Sequence, residues 1–279
     1  MNRAAKTPSR NSTTNSTGRP DRLSALLERF RIRAQVFPLG DSIGGGATVA
    51  NLFISDGTDG SSTLHFYPRG ARSYAGPANA VSASVDTGGA SPIALALPER
   101  VEVRLVDAPA LAAVADILID EARAPRCGRR AVVDRLCEVV VIRLLRHLIE
   151  TGEAEAGLLA GLAHPNLAPA LIAIHENPEK PLGLEDLAAR AAMSRTHFAN
   201  TFRDVVGTTP GQYITDWRLT LARIEIAAGA PVKAVARRVC FSGAAALSRA
   251  FTRRFGVSPR QLRTDTARLG EPVSQESLR

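Results

Sequence analysis

The chain has 279 residues, with 35 Lys and Arg against 27 Asp and Glu, a formal charge of +8; its length suggests two folded units, and 45% hydrophobic residues exclude a wholly disordered chain. Three cysteines without a Cys-x-x-Cys pair exclude a disulfide scaffold and the common zinc spacings, and they fit a reducing cytoplasm. No apolar run reaches about 18 residues and the N-terminus lacks a charged-then-apolar pattern, which argues against membrane spanning and secretion.

Residues 1–20 are rich in Ser, Thr and Asn and nearly free of large apolar residues, so they cannot offset their own ordering entropy and are read as a disordered basic arm. Residues 1–35 together hold eight Arg/Lys and two Asp/Glu. Leu23, Leu26, Leu27 and Phe30 lie at helical spacing behind Asp21, a candidate N-cap, and predict a short amphipathic helix. Short apolar runs broken by glycine follow at 48–54, 63–67, 92–97 and 101–106 and read as strands joined by turns. Helices are expected over Leu111–Ile119 and Val132–Ile149. In the second, Val132, Leu136, Val139, Val140, Leu144 and Leu148 form an apolar stripe that fits either packing on its own domain or a dimer seam.

Residues 36–169 carry eleven basic and fifteen acidic side chains, an acidic middle between two basic ends. Gly161 and Pro165 mark a boundary, read as a linker over 161–170. From Ala168 onward the pattern is helical, and between Arg195 and Arg263 twelve Arg/Lys face only Asp204, Asp216 and Glu225, a density that suits a polyanion or a merely soluble surface.

Inside this helical stretch the sequence repeats. At an offset of 49, Phe198 pairs with Leu247, Phe202 with Phe251, Val206 with Phe255, Gly207 with Gly256 and Pro210 with Pro259; upstream the offset is 48, pairing Leu187 with Val235, Ala188 with Ala236 and Ser194 with Ser242. Each copy reads as a short helix, a tight turn, a small N-cap (Ser194; Ser242 or Gly243) and a second helix with apolar residues at i, i+4 and i+8. That is the helix-turn-helix plan, whose second helix can enter a major groove. A connector over Pro210–Ala228 contains Trp217, read as a buried anchor.

The stretches from Ser194 to Pro210 and especially from Phe241 to Pro259 resemble the AraC/XylS family of bacterial transcription regulators, over roughly residues 168–265. The resemblance implies two helix-turn-helix units, 184–206 and 232–255, in an all-α DNA-binding domain over 171–268, followed by a disordered tail over 269–279. Residues about 35–160, through the stretches 65–71, 96–103 and 127–148, resemble the cupin-type sensor of one branch of the family, which implies a regulatory and dimerisation domain over 21–160 and an α+β fold class. Carried over by position, the first reading face is Arg195, Thr196, Ala199, Asn200 and Arg203. The second is Ala244, Ala245, Ala246, Ser248, Arg249, Thr252 and Arg253. Asn200 and Arg249 are the best candidates for base contacts, whereas the three alanines can touch thymine methyls but make no bidentate bond. Arg218, Arg223, Lys233, Arg237 and Arg238 are candidate phosphate partners or solvated surface residues.

The family usually has glycine where Cys240 stands, so a left-handed turn there would carry strain of about 1 kcal/mol. His65 is the only histidine in the strand region and implies no metal site. Cys127 and Cys137 are candidates for a redox role, set against the commoner reading of cysteine as a small buried hydrophobe. No catalytic motif, metal cluster or cofactor site emerges. The expected partners are duplex DNA, RNA polymerase and a second copy of the chain, with an effector of unknown identity and no membrane. The rival readings are an architectural DNA binder and an enzyme with an appended DNA-binding domain.

Overall fold

The Asp21 carboxylate accepts from the backbone N–H groups of Leu23 and Ser24 at 3.1 and 3.0 Å and so starts the first helix, α1 (Ser24–Arg29), as its position in the sequence predicts. The computed structural model describes residues 21–29, 32–39, 43–44, 48–57, 60–70, 79–87, 92–124, 126–153 and 156–270; the expected N-terminal arm and most of the expected tail lie outside them. After α1 come β1 (Arg33–Val36), β2 (Ile43–Gly44), β3 (Thr48–Val49), β4 (Leu52–Asp56), β5 (Ser62–Phe66) and β6 (Val81–Asp86). Next are α2 (Pro92–Ala96), β7 (Val101–Arg104), α3 (Pro109–Arg123) and α4 (Arg129–Thr151).

β1, β6, β4, β5 and β7 form one antiparallel sheet in that order, with β2 and β3 paired as a separate ribbon. Leu52 and Ile54 share a face with Leu64, Phe66, Val81, Ala83, Val101 and Val103, as the register requires, and this face joins the main core. The other face carries the row Ser82, Phe53, His65 and Glu102, with a smaller apolar cluster of Phe37, Ala50 and Phe53. α4 covers the β1 edge, where Asp134 Oδ1 accepts from the Val36 N–H at 2.9 Å. His65 is buried with Nδ1 3.6 Å from Glu102; burial holds its pKa below the ordinary value, against the pull of Glu102.

Two expectations need correction in this half. Residues 92–97, read as a strand, contain α2: proline at the start of an Ala-rich segment suits a helix, and a short apolar run has no period that distinguishes the two. The buried face of α4 is Val133, Cys137, Val140, Val141, Leu144, Leu145, Leu148 and Ile149, so Val132 and Val139 point outward. The valine doublets satisfy either phase, and packing against α3 and β1 decides between them. Cys137 is fully buried and its thiol is pushed up to about 12 by burial, with Asp134 and Glu138 adding to the shift, which fits the reading of a small buried hydrophobe; Cys127 is exposed ahead of α4.

The helical part comprises α5 (Leu158–Ala163), α6 (Leu167–Glu176), α7 (Leu184–Arg190), α8 (Arg195–Val206), α9 (Pro210–Ala227), α10 (Val232–Arg238), α11 (Ala244–Phe255) and α12 (Pro259–Gly270). The stretch expected as a linker is thus the end of α5, a turn and the start of α6, where His164 Nδ1 accepts from the N–H groups of Asn166 and Leu167 at 3.2 and 3.3 Å. Gly161 does not end a helix. It sits within α5 where a Cβ would lie 2.6 Å from Leu171 Cδ1 and 2.9 Å from Val206 Cγ2, so its small size allows α5 to approach α6 and α8. Gly161→Ala is expected to lose about 1 kcal/mol in urea unfolding, because overpacking of about 1–3 kcal/mol exceeds a helix-propensity gain of about 1 kcal/mol. An unchanged or raised midpoint would show that the contact is loose.

α1 reaches across to the helical part. Arg29 Nε donates to the His175 carbonyl at 3.1 Å, placing a cation on the C-terminal end of α6. Among the described residues no helix is long and apolar enough to cross a membrane.

Candidate nucleic-acid interface

The two helix pairs α7–α8 and α10–α11 share their local chemistry. Asp186 accepts from the Gly183 N–H at 3.1 Å to open α7, and Glu185 and Asp186 complement the helix dipole there. α7 ends with Ala192 at φ 52° and a Met193 N–H to Ala188 carbonyl bond of 3.0 Å; α10 ends with Cys240 at φ 56° and a Phe241 N–H to Ala236 bond of 2.8 Å. These six-to-one bonds with a left-handed residue are Schellman closures, and Cys240 does occupy the conformation that favours glycine. Cys240→Gly is expected to raise stability by about 0.5–1 kcal/mol in chemical denaturation, relief of strain outweighing glycine's extra chain entropy. A fall in stability would show that the Cys240 side chain is worth more than the strain it imposes.

Ser194 caps α8 by accepting from the His197 N–H at 3.3 Å, whereas α11 begins at an extended Gly243 without a side-chain cap. Phe198, Phe202 and Val206 on α8, and Leu247, Ala250 and Phe251 on α11, turn inward. Arg195, Thr196, Asn200 and Arg203 are exposed with Ala199 half-buried beside them. On α11, Ala245, Arg249, Thr252 and Arg253 are exposed, while Ala244, Ala246 and Ser248 are half-buried. Each set therefore lies on the outward side of a second helix of its pair. Gly207 and Gly256 end these helices at φ 82° and 74°.

α9 holds the two pairs together. Thr209 caps it, Pro210 occupies its first turn, and Trp217 is buried as expected. On its first-unit side, Phe202 meets Tyr213 edge-on at 5.6 Å. The Tyr213 hydroxyl lies 2.7 Å from His175 Nε2, and the His175 ring packs on Trp217 at 4.3 Å. On the second-unit side, Glu225 pairs with Arg238 of α10, Asp216 pairs with Arg254 of α11 at 3.2 Å, and Arg223 lies over the Phe255 ring. Asp216 and Glu225, the residual acids of a basic stretch, thus each meet an arginine that no local spacing links to them.

These contacts reassign part of the basic set. Arg218 donates to the carbonyls of Pro178 at 2.9 Å and Lys180 at 2.6 Å, so it clasps the α6–α7 connection rather than standing ready for phosphate. Arg223 and Arg238 are likewise engaged, while Lys233 and Arg237 remain exposed. Among the described residues no group of three or more His, Cys, Asp or Glu side chains is placed to hold a metal ion.

A family model described as "Helix-turn-helix domain" matches residues 187–265, and one described as "Cupin" matches residues 52–150. An uncharacterized HTH-type transcriptional regulator of Haemophilus influenzae is 33% identical over 168 residues, covering 60% of this chain and 56% of the relative. A putative AraC-like transcription regulator of Streptomyces antibioticus is 39% identical over 130 residues, covering 46% of this chain and 43% of the relative. The chain thus spans about half the length of these curated relatives. A crystal structure of an AraC-type transcriptional regulator from Chromobacterium violaceum aligns at 27% identity and a TM-score of 0.36, covering 38% of this chain and 96% of that one. One polypeptide thus carries a match to a cupin domain followed by a match to a helix-turn-helix domain, and over its C-terminal part it is similar to proteins named as AraC-like transcription regulators.

Proposed function

We propose that the chain is a sequence-specific, DNA-binding transcription regulator that reads two successive major grooves with α8 and α11. The observation that carries this reading is the pair of outward, polar second helices tied to one connector by side chains of both units. A rigid pair of this kind suits two groove segments one helical turn apart on the same face of a duplex. The names of the relatives support it, since both are named as transcription regulators. On this reading Arg195, Thr196, Ala199, Asn200 and Arg203 face one groove. Ala244, Ala245, Ser248, Arg249, Thr252 and Arg253 face the next, and Lys233 and Arg237 meet phosphates.

The role is regulatory rather than enzymatic, exercised in the cytoplasm through the cupin half, on promoter DNA and with RNA polymerase. A homodimer joined along α3 and α4 is supported by the exposed Ile117, Val132 and Val139, apolar residues that a lone subunit leaves in water. The architectural alternative draws on Ala244, Ala245 and Ala246, which offer no hydrogen bonds to bases. Selection of bound duplexes from a random pool separates the two. The regulator reading expects a bipartite motif with its halves about 10 base pairs apart; recovery of unenriched sequences would favour the architectural reading.

A further inference from the structure

A cleft of about 210 Å³ lies where the two halves of the chain meet. Leu158 of α5, Val206 at the end of α8, Tyr213 and Trp217 of α9, and the Asp216–Arg254 ion pair line it. The lining therefore comes from the segment before the first unit, from that unit, from the connector and from the second unit. Its aromatic side is held in place from behind, since fully buried His175 bonds the Tyr213 hydroxyl and packs on Trp217.

Size and polarity together define what fits. An apolar cavity of about 150 Å³ accepts benzene, so this one has room for a single ring with a short substituent. Its charged groups are already matched. An anion would have to compete with Asp216 for Arg254, and a cation with Arg254 for Asp216, at the modest cost of disturbing a part-exposed pair. A hydroxyl can accept from the guanidinium and donate to the carboxylate while the pair stays intact.

We propose that this cleft is a binding site for a small neutral molecule with a ring-sized apolar body and one hydroxyl group, whose occupancy adjusts how the second helix-turn-helix unit is held on the connector. The effect on DNA rests on the regulator reading; the binding itself does not.

Trp217 is the sole tryptophan, so its fluorescence reports the cleft in the full chain. Titration with benzyl alcohol is expected to give a saturable change, with benzoate and benzylamine about threefold weaker. Ala96→Leu, which adds volume at another lining position, should abolish saturation, and Arg254→Gln should weaken benzyl alcohol about tenfold. A linear, unsaturable response, a preference for either charged probe, or indifference to Arg254→Gln would overturn the site. Should Ala96→Leu fail to fold, Arg254→Gln and the probe series decide the matter. In a second arm, benzyl alcohol should change affinity for the selected duplex at least threefold in the parent chain and not in Arg254→Gln. An unchanged affinity with intact fluorescence binding would overturn the coupling, whereas absence of any preferred duplex would sink the regulator reading and leave the site standing.

Discussion

Acidification from pH 6.5 to 4.5 is expected to cost the folded chain about 2–3 kcal/mol through His175 alone, each pH unit being worth about 1.4 kcal/mol while one proton separates the two states. Burial lowers the pKa of His175 from 6.5 to about 3, with the positive charge of Arg29 adding to the effect. The folded state thus keeps the imidazole neutral where the unfolded chain protonates it. Unfolding takes up a proton between those two pH values, so stability rises with pH across the window and is lost as pH falls. The imidazole is sandwiched between the Tyr213 hydroxyl and the Trp217 ring, and its Nδ1 has no hydrogen-bond partner, so the site offers nothing to a second N–H. His175→Gln keeps a polar partner for Tyr213 and removes the titration. Urea midpoints across this pH range should fall steeply for the parent and much less for the variant, with His65 supplying a residual slope of the same sign. Parallel curves would mean that His175 is solvated in the folded state. Asp56, held below its ordinary carboxylate value chiefly by the side-chain hydrogen bond from Arg123, loses its stabilising interaction only at still lower pH.

The second large effect is on DNA. Asn200→Ala and Arg249→Ala should each weaken binding to the selected duplex by about 1–3 kcal/mol, roughly 5- to 150-fold, and each should relax base preference only in its own half of the motif. Asparagine matches adenine and arginine matches guanine in the major groove, so the two losses should track different bases. Lys233→Ala should instead weaken all duplexes alike and reduce the slope of log affinity against log salt by about one. Arg218→Ala is the internal control. Its guanidinium is spent on the Pro178 and Lys180 carbonyls, so the variant should unfold more easily while the salt slope stays unchanged. Quantitative mobility-shift titrations with single-base variants of the duplex check all four. Equal losses at every base position for Asn200→Ala and Arg249→Ala would contradict the assignment of the reading faces.

The helix-turn-helix pairs were legible because their information is local. Ser194, Gly207 and Gly256 mark helix ends by backbone chemistry, and Phe198, Phe202 and Val206 repeat at a helical interval with counterparts 49 residues later. The left-handed conformation at Cys240 could be anticipated for the same reason. The sheet was much less visible. β6 reads Val-Ser-Ala-Ser-Val-Asp and is mostly buried on both faces, so Ser82 and Ser84 are not markers of a solvent side and the strand lacks the apolar texture that reveals one. β1 is an edge strand whose alternation is weak, and its pairing with β6 spans about fifty residues. Arg218 shows the limit for side chains: a basic residue on a basic stretch looks like a phosphate contact until the loop that it clasps is placed beside it. The Asp216–Arg254 and Glu225–Arg238 pairs carry the same lesson, since each joins residues that no short-range spacing rule connects.

On the proposed function, two fixed reading helices recognise a particular duplex rather than polyanions in general. The most direct test titrates the selected duplex and a scrambled duplex of equal length at 50 and 200 mM salt. Affinity for both should fall as salt rises, because phosphate contacts release counterions, but the selected duplex should keep an advantage of about a thousandfold or more at the higher salt. Equal affinities for the two duplexes at both salts would contradict it.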